Sequence, residues 1–423
     1  MSDISNNNAL FTALIGQGAE VLNDRESHFA RDHARLRMVI CTDASGAINV
    51  DLGLNVDSSE CITPFFEGPR AFFKPAGTSV QEINSGGRSN VLIDFSLSFD
   101  SNFAEKIRAA IMGENIEQVD RNRVNGILML KARNRRVQFD VIPFLTENIR
   151  LTRNAPNNVR PLNTLIAFRL LDHLNWDAFC DDPSRFVFDS PYEELRDSLR
   201  PEAEDFLSML QTSEYIVHQE AMSAGTQALL LRFAQLWHGG NKQDNQHILS
   251  ELLWFSIQKL GAIPLTELHL IWSGIISDSG SQFFSPIKGR SPQMLKKVRG
   301  MAWDMTLLRG LEQIAITSSS ANAFFIPYFV SIDRRWRDLM RLNTVNLMLV
   351  DDAHKHKLFA RSGEQQFQQA LRECMPTELW CEMTADKVEA RQRLAAQTIQ
   401  LDDMQQLVAE EEARWLKLDA VKS

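Results

Sequence analysis

The spacing of apolar and polar positions divides the chain into an early part that reads as strands and a later part that reads as helices. Ser2 to Asn8 is a polar leader, and Ala9 to Phe29 has room for a short helix. Arg37 to Cys41 and Ile48 to Leu54 read as strands. In the second, Ile48, Val50, Leu52 and Leu54 alternate with polar or small residues, the period of a half-buried strand. Pro64, Pro69, Pro75 and Gly77 interrupt the pattern, and Ser85-Gly86-Gly87 adds a turn. Val91 to Phe99 predicts a strand and Ala104 to Ile111 a helix. Two further apolar runs, Gly126 to Leu130 and Val137 to Ile142, predict strands, the latter ended by Pro143.

Residues 160–275 carry helical spacing. Leu229, Leu230, Phe233, Leu236 and Trp237 recur at i, i+1, i+4, i+7 and i+8, a wide apolar stripe. Ser277 to Pro292 reads as an exposed loop, and helix resumes from Met301 to Ile316. Ala323 to Ser331 is aromatic and strand-like, with Pro327 arguing for an edge or a bulge. Residues 345–423 read as helix. Strands early and helices late predict an α+β architecture. The expected parts are an N-terminal mixed segment (1–69), a mixed sheet domain (70–160), a helical lobe (161–345) and a helical C-terminal extension (346–423).

Composition narrows the function classes. The chain has 423 residues, 44% of them hydrophobic, enough to bury a sizeable core. Its 45 Lys and Arg against 54 Asp and Glu leave a net charge of −9, which excludes coating nucleic acid by overall charge but leaves room for a local basic channel. No apolar run reaches the roughly 18 residues that span a bilayer. The opening ten residues lack the layout of a signal peptide, and the five cysteines form no CxxC pair. A cytoplasmic protein without a membrane segment is expected.

The candidate chemistry lies in two stretches. The first runs from Gly77-Thr78-Ser79 to Gly87-Arg88-Ser89-Asn90-Val91-Leu92-Ile93-Asp94, where small residues ahead of a strand let the backbone approach a phosphate. The second is Phe139-Asp140-Val141-Ile142-Pro143, an acid in an apolar strand that is costly to bury without a purpose. Carboxylates on neighbouring strands can share Mg²⁺ or Mn²⁺, and two such ions support transfer of a nucleotide. Lys131, Arg133, Arg135 and Arg136 precede the Asp140 strand and form a candidate basic rim for nucleic acid. Lys288, Arg290, Lys296, Lys297 and Arg299 form a second basic cluster. Asp100 and Asp304 read as helix caps, and Asp333 has no evident partner. His354 and His356 are two apart and would diverge on a helix.

In these segments the sequence resembles the nucleotidyltransferase family of oligoadenylate synthetases and bacterial cyclic-dinucleotide synthases, over roughly residues 70–275. Gly77-Thr78-Ser79 is similar to the family's Gly-Ser turn, Gly87-Arg88-Ser89 to the approach to its acid strand, and Phe139 to Pro143 to the strand bearing its third acid. Arg232 to Trp237 and Ser250 to Leu253 are similar to two helices of its helical lobe. The resemblance implies a nucleotidyltransferase-like mixed sheet followed by a helical lobe. It also implies Gly77, Ser79, Gly87, Arg88 and Ser89 as phosphate-side lining. Asn90 and Leu92 stand where the family has its paired acids, and Gln235 stands where it has a phosphate-binding lysine. The implied protein is therefore a degenerate relative whose cleft binds a nucleotide, an oligonucleotide or RNA, with anti-phage defence as the implied setting. Two rivals stay open. In one, Asp94 and Asp140 hold Mg²⁺ or Mn²⁺ and catalysis survives. In the other, the helical segments serve as a scaffold for a protein partner.

Overall fold

A computed structural model describes residues 2–18, 35–43, 46–50, 60–77, 91–152, 155, 157–239, 244–276, 282–316, 323–375, 377–382, 387, 390 and 400–422. The chain divides into two compact units, residues 1–211 with 310–362, and residues 212–309 with 363–423. It is a mixed α+β protein with two sheets, a large helical part and a C-terminal helical stretch. Among the described residues no helix is long and apolar enough to cross a membrane.

The first unit contains both sheets. It opens with α1 (Ser2–Gln17), which takes in the polar leader. Strands β1 (Arg37–Cys41), β2 (Ile48–Asn49), β3 (Ile62–Pro64) and β4 (Arg70–Lys74) follow. Then come β5 (Leu92–Phe99), α2 (Ser101–Ile111), α3 (Gln118–Arg133), β6 (Val137–Asp140) and α4 (Ile142–Thr152). Helices α5 (Arg160–Leu170), α6 (Trp176–Asp181) and α7 (Tyr192–Gln211) complete its first stretch. The second unit begins with α8 (Glu214–Gly239), α9 (Asn245–Phe255), α10 (Leu265–Ile276), α11 (Ser285–Lys288) and α12 (Met294–Ile316), whose last turns from Gly310 belong to the first unit. The first unit then adds β7 (Ala323–Val330), α13 (Arg334–Leu342), β8 (Val345–Asp351) and β9 (His356–Arg361). Helices α14 (Glu364–Cys374), α15 (Thr377–Glu382) and α16 (Leu401–Lys422) return to the second.

One sheet has the order β2-β4-β1-β8-β9 and is antiparallel throughout. Leu10, Phe11 and Leu14 of α1 pack on Met38, Ile40, Leu347 and Leu349 to form its core. The other sheet has the order β3-β7-β5-β6. Strands β5, β6 and β7 run parallel, and β3 adds antiparallel to β7. Leu97 and Phe99 of β5 are fully buried. The Phe99 ring meets Phe139 and Phe168 edge-on, each at 5.2 Å between centroids.

Several expectations are corrected. Gly126 to Leu130 lies inside α3, because buried Val124, Ile127, Leu128 and Leu130 fall three or four apart and line one helix face. Residues 345–361 form a hairpin rather than helix, and its strands β8 and β9 lie in the antiparallel sheet beside β1. Pro327 sits in an interior strand. Its carbonyl accepts from Phe65 N at 3.1 Å just past the end of short β3, so the missing N–H falls where that pairing has run out. Ser285 to Lys288 is helical, with Phe283, Phe284 and Ile287 fully buried, where an exposed loop was expected. Pro143 opens α4 in its first turn, where a proline costs no hydrogen bond. Asp304 lies in the middle of α12 rather than at its start. Asp100 is the N-cap of α2, and Asp333, expected without a partner, is the N-cap of α13.

Candidate functional site

The parallel strands give their sheet two chemically different ends. From β5 the chain crosses to β6 on one side, and from β6 it eventually returns to β7 on the other. The carboxyl ends of β5 and β7 therefore flank a topological switch point, the place where open α/β sheets hold their ligands. Ser98, Asp100, Asp140, Ser331 and Asp333 gather at this end, with Ser101, Glu147 and Asn148 from the helices that follow.

The acids of this end are held by protein groups. Asp140 accepts from Ser98 Oγ at 2.7 Å and from Ile142 N at 2.9 Å, so it closes the turn between β6 and α4. Burial pushes its pKa up against those two hydrogen bonds. Asp100 accepts from Phe103 N at 2.6 Å and from Ser331 Oγ, which ties the ends of β5 and β7 together. Burial pushes Asp100 up to about 7; the two hydrogen bonds oppose this, and the nearby Glu147 and Asp333 charges add to it. Ser101 Oγ donates to Glu147 and accepts from Asn148 Nδ2 at 2.8 Å.

Asp94 is not part of this end. The register pairs Asp140 with Ser98, and Asp94 precedes Ser98 by four residues on the same face. Four residues of strand are roughly 13 Å, more than two aspartate side chains rising from one sheet face can close onto one shared ion. Among the described residues no group of three or more His, Cys, Asp or Glu side chains is placed to hold a metal. Asp94 and Asp140 thus do not fit a common Mg²⁺ or Mn²⁺.

The amino ends of β5 and β6 hold the basic residues. Asp94 lies one residue before β6 begins to pair, and Leu92 at the start of β5 is 57% exposed. The chain reaches β6 through the last turn of α3 and the turn at Asn134 to Arg136, where Arg133, Arg135 and Arg136 are exposed. Lys131 differs from the other three. Its Nζ donates to Val137 O at 2.9 Å and sits 5.3 Å from the Phe139 ring centroid, and burial pushes its pKa down. The four basic residues expected as one rim are therefore three exposed guanidiniums and one structural ammonium. They lie at the opposite end of β6 from Asp140, where the sequence had suggested a single cleft.

Gly77 has φ +82°, the left-handed conformation expected of a glycine turn. Ser79, Gly87, Arg88 and Ser89 lie outside the described residues. In the second unit Gln235 donates from Nε2 to the Glu411 carbonyl at 3.0 Å and carboxylate at 2.9 Å, so it fastens α16 to α8. The second basic cluster is largely engaged within that unit. Arg290 pairs with Asp419, Arg299 with Glu412, and Lys288 bonds the Gly274 carbonyl. His354 sits in the β8–β9 turn and bonds Asp351 at 2.9 Å, and Trp272 is buried against Phe367.

Comparisons with family models, with curated proteins and with solved structures find no match to this chain.

Sequence reasoning missed Ser98 and Ser331 as hydrogen-bond partners of Asp140 and Asp100, and Glu147 as the like charge beside Asp100. It also missed Trp176 and Asp177, which meet Arg135 from α6. The only local signal was Asn175, a helix-capping residue that accepts from Ala178 N at 3.0 Å and so fixes where Trp176 and Asp177 stand.

Proposed function

We propose that this chain binds the phosphates of a nucleotide, an oligonucleotide or RNA and does not transfer nucleotides. The observation that carries binding over transfer is the four-residue offset of Asp94 from the register position of Asp140, which leaves no shared metal position. Asp140 itself is occupied in closing the β6–α4 turn. Support for phosphate comes from Arg133, Arg135 and Arg136, three exposed guanidiniums within four residues at the amino ends of the parallel strands. Guanidinium forks match phosphate oxygens in pairs, and such charge-assisted hydrogen bonds are the strong ones. Arg133 and Arg136 make no ion pair among the described residues.

Fluorescence anisotropy with a labelled single-stranded RNA tests the reading. Wild-type protein binds, and Arg133→Ala with Arg136→Ala weakens binding roughly tenfold or more while the melting temperature stays within about 2 °C. Equal binding by the double variant refutes the placement. A companion incubation with the four nucleoside triphosphates and Mn²⁺ yields no oligonucleotide or cyclic product. A product that disappears in Asp140→Asn would replace binding with catalysis.

A further inference from the structure

Arg135 is presented differently from its two neighbours. Its guanidinium carbon lies 5.6 Å from the Trp176 ring centroid, and its Nη2 donates to Asp177 Oδ1 at 3.2 Å. Trp176 is itself fixed, 9% exposed, edge-on to Phe179 at 6.1 Å and in the first turn of a helix capped by Asn175. Asp177 is the reverse: its side chain is 97% exposed, and Arg135 is the one partner it has among the described residues. The guanidinium is thus oriented by a rigid aromatic face, and a carboxylate oxygen occupies a donor position that a phosphate oxygen would take.

We infer that Asp177 is a resident competitor for the phosphate at Arg135, so that a phosphodiester strand binds by displacing it. This inference rests on the phosphate-binding reading above and names the residue that sets its affinity. The geometry makes displacement inexpensive. An exposed ion pair is weak in water because solvent screens it and both side chains lose freedom to form it. A phosphate that also reaches Arg133 or Arg136 gains contacts that Asp177 cannot make. Trp176 keeps Arg135 in place during the exchange, so the fork need not be ordered anew.

Removing the competitor without removing the fork isolates the effect. Asp177→Asn should bind single-stranded RNA roughly two- to fivefold more tightly than wild type, the range an exposed pair can cost. Asp181→Asn serves as the control, because Asp181 is also exposed and one turn further along the same helix but is not paired with Arg135. It removes the same charge and should gain less. Arg135→Gln should weaken binding and abolish the gain from Asp177→Asn when the two are combined. Equal gains from Asp177→Asn and Asp181→Asn, or an additive double variant, overturn the inference while leaving phosphate binding intact. No binding by wild type or by any variant overturns both.

Discussion

Burial holds the Asp100 carboxyl near pH 7, against an ordinary value of 3.8, because water is excluded and Glu147 and Asp333 carry like charge nearby. The folded protein therefore keeps a proton on Asp100 at pH values where the unfolded chain has released it. When the native state binds more protons, stability falls as pH rises, here through the window from about 4 to about 7, with the full cost present above 7. Asp100→Asn keeps an acceptor for Phe103 N and removes the titration. Its melting temperature, followed from pH 4.5 to 8, should fall less across that window than wild type's. An unchanged difference between the two proteins across the whole range would show that Asp100 does not titrate there. Asp351 has the opposite sign. Burial raises it, but hydrogen bonds from Asn7, His354 and Arg35 outweigh burial and hold it down to about 2. Its contribution is present above pH 4 and is lost as pH falls toward 2.

Among the elements, α1 depends on that same aspartate. Asn7 Nδ2 donates to Asp351 at 2.9 Å and Arg35 Nε at 3.1 Å, and Leu10, Phe11 and Leu14 add apolar contact with the sheet. Asp351→Ala leaves the Asn7 amide without its acceptor, while half-buried Arg35 keeps water and Asn7 Oδ1. It should cost about 1–3 kcal/mol of unfolding free energy in a urea titration at pH 7; no measurable loss would mean that packing alone holds α1. How far such elements were legible depended on whether their logic is local. The strand at Leu92 to Phe99, the helix stripe around Phe233 and the Asp100 cap follow from neighbours in sequence. Gly126 to Leu130 misled because five consecutive apolar residues fit a strand or a buried helix equally, and only the facing Val124 decides it. Residues 345–361 misled because β8 lies between β1 and β9 and is almost entirely buried, which gives a continuous apolar run without alternation. At the site, the cost of burying Asp140 was legible. Its relief by Ser98 was not, because parallel register joins residues 42 apart with no local trace.

At the scale of the whole molecule, a net charge of −9 repels a polyanion, while the proposed contact surface offers three guanidiniums and one opposing carboxylate. Long-range repulsion and short-range attraction respond to salt in opposite directions. Screening at physiological ionic strength acts over about 8 Å, so added salt first relieves the repulsion from distant acids and only then competes for the bound phosphates. If the strand touches only this turn, counterion release is small. Single-stranded binding weakens with a slope near −0.7 per phosphate neutralised, so two or three contacts reduce affinity roughly 7- to 18-fold between 50 and 200 mM salt. A protein gripping RNA along a long basic channel would lose several hundredfold or more over the same range. Measured on wild type, a shallow slope that becomes shallower by about 0.7 for each of Arg133→Ala and Arg136→Ala would assign those two contacts to the turn. A steep slope that neither substitution changes would place the nucleic acid on another surface of the molecule, and the arginine turn would then be only a solvated connection between α3 and β6.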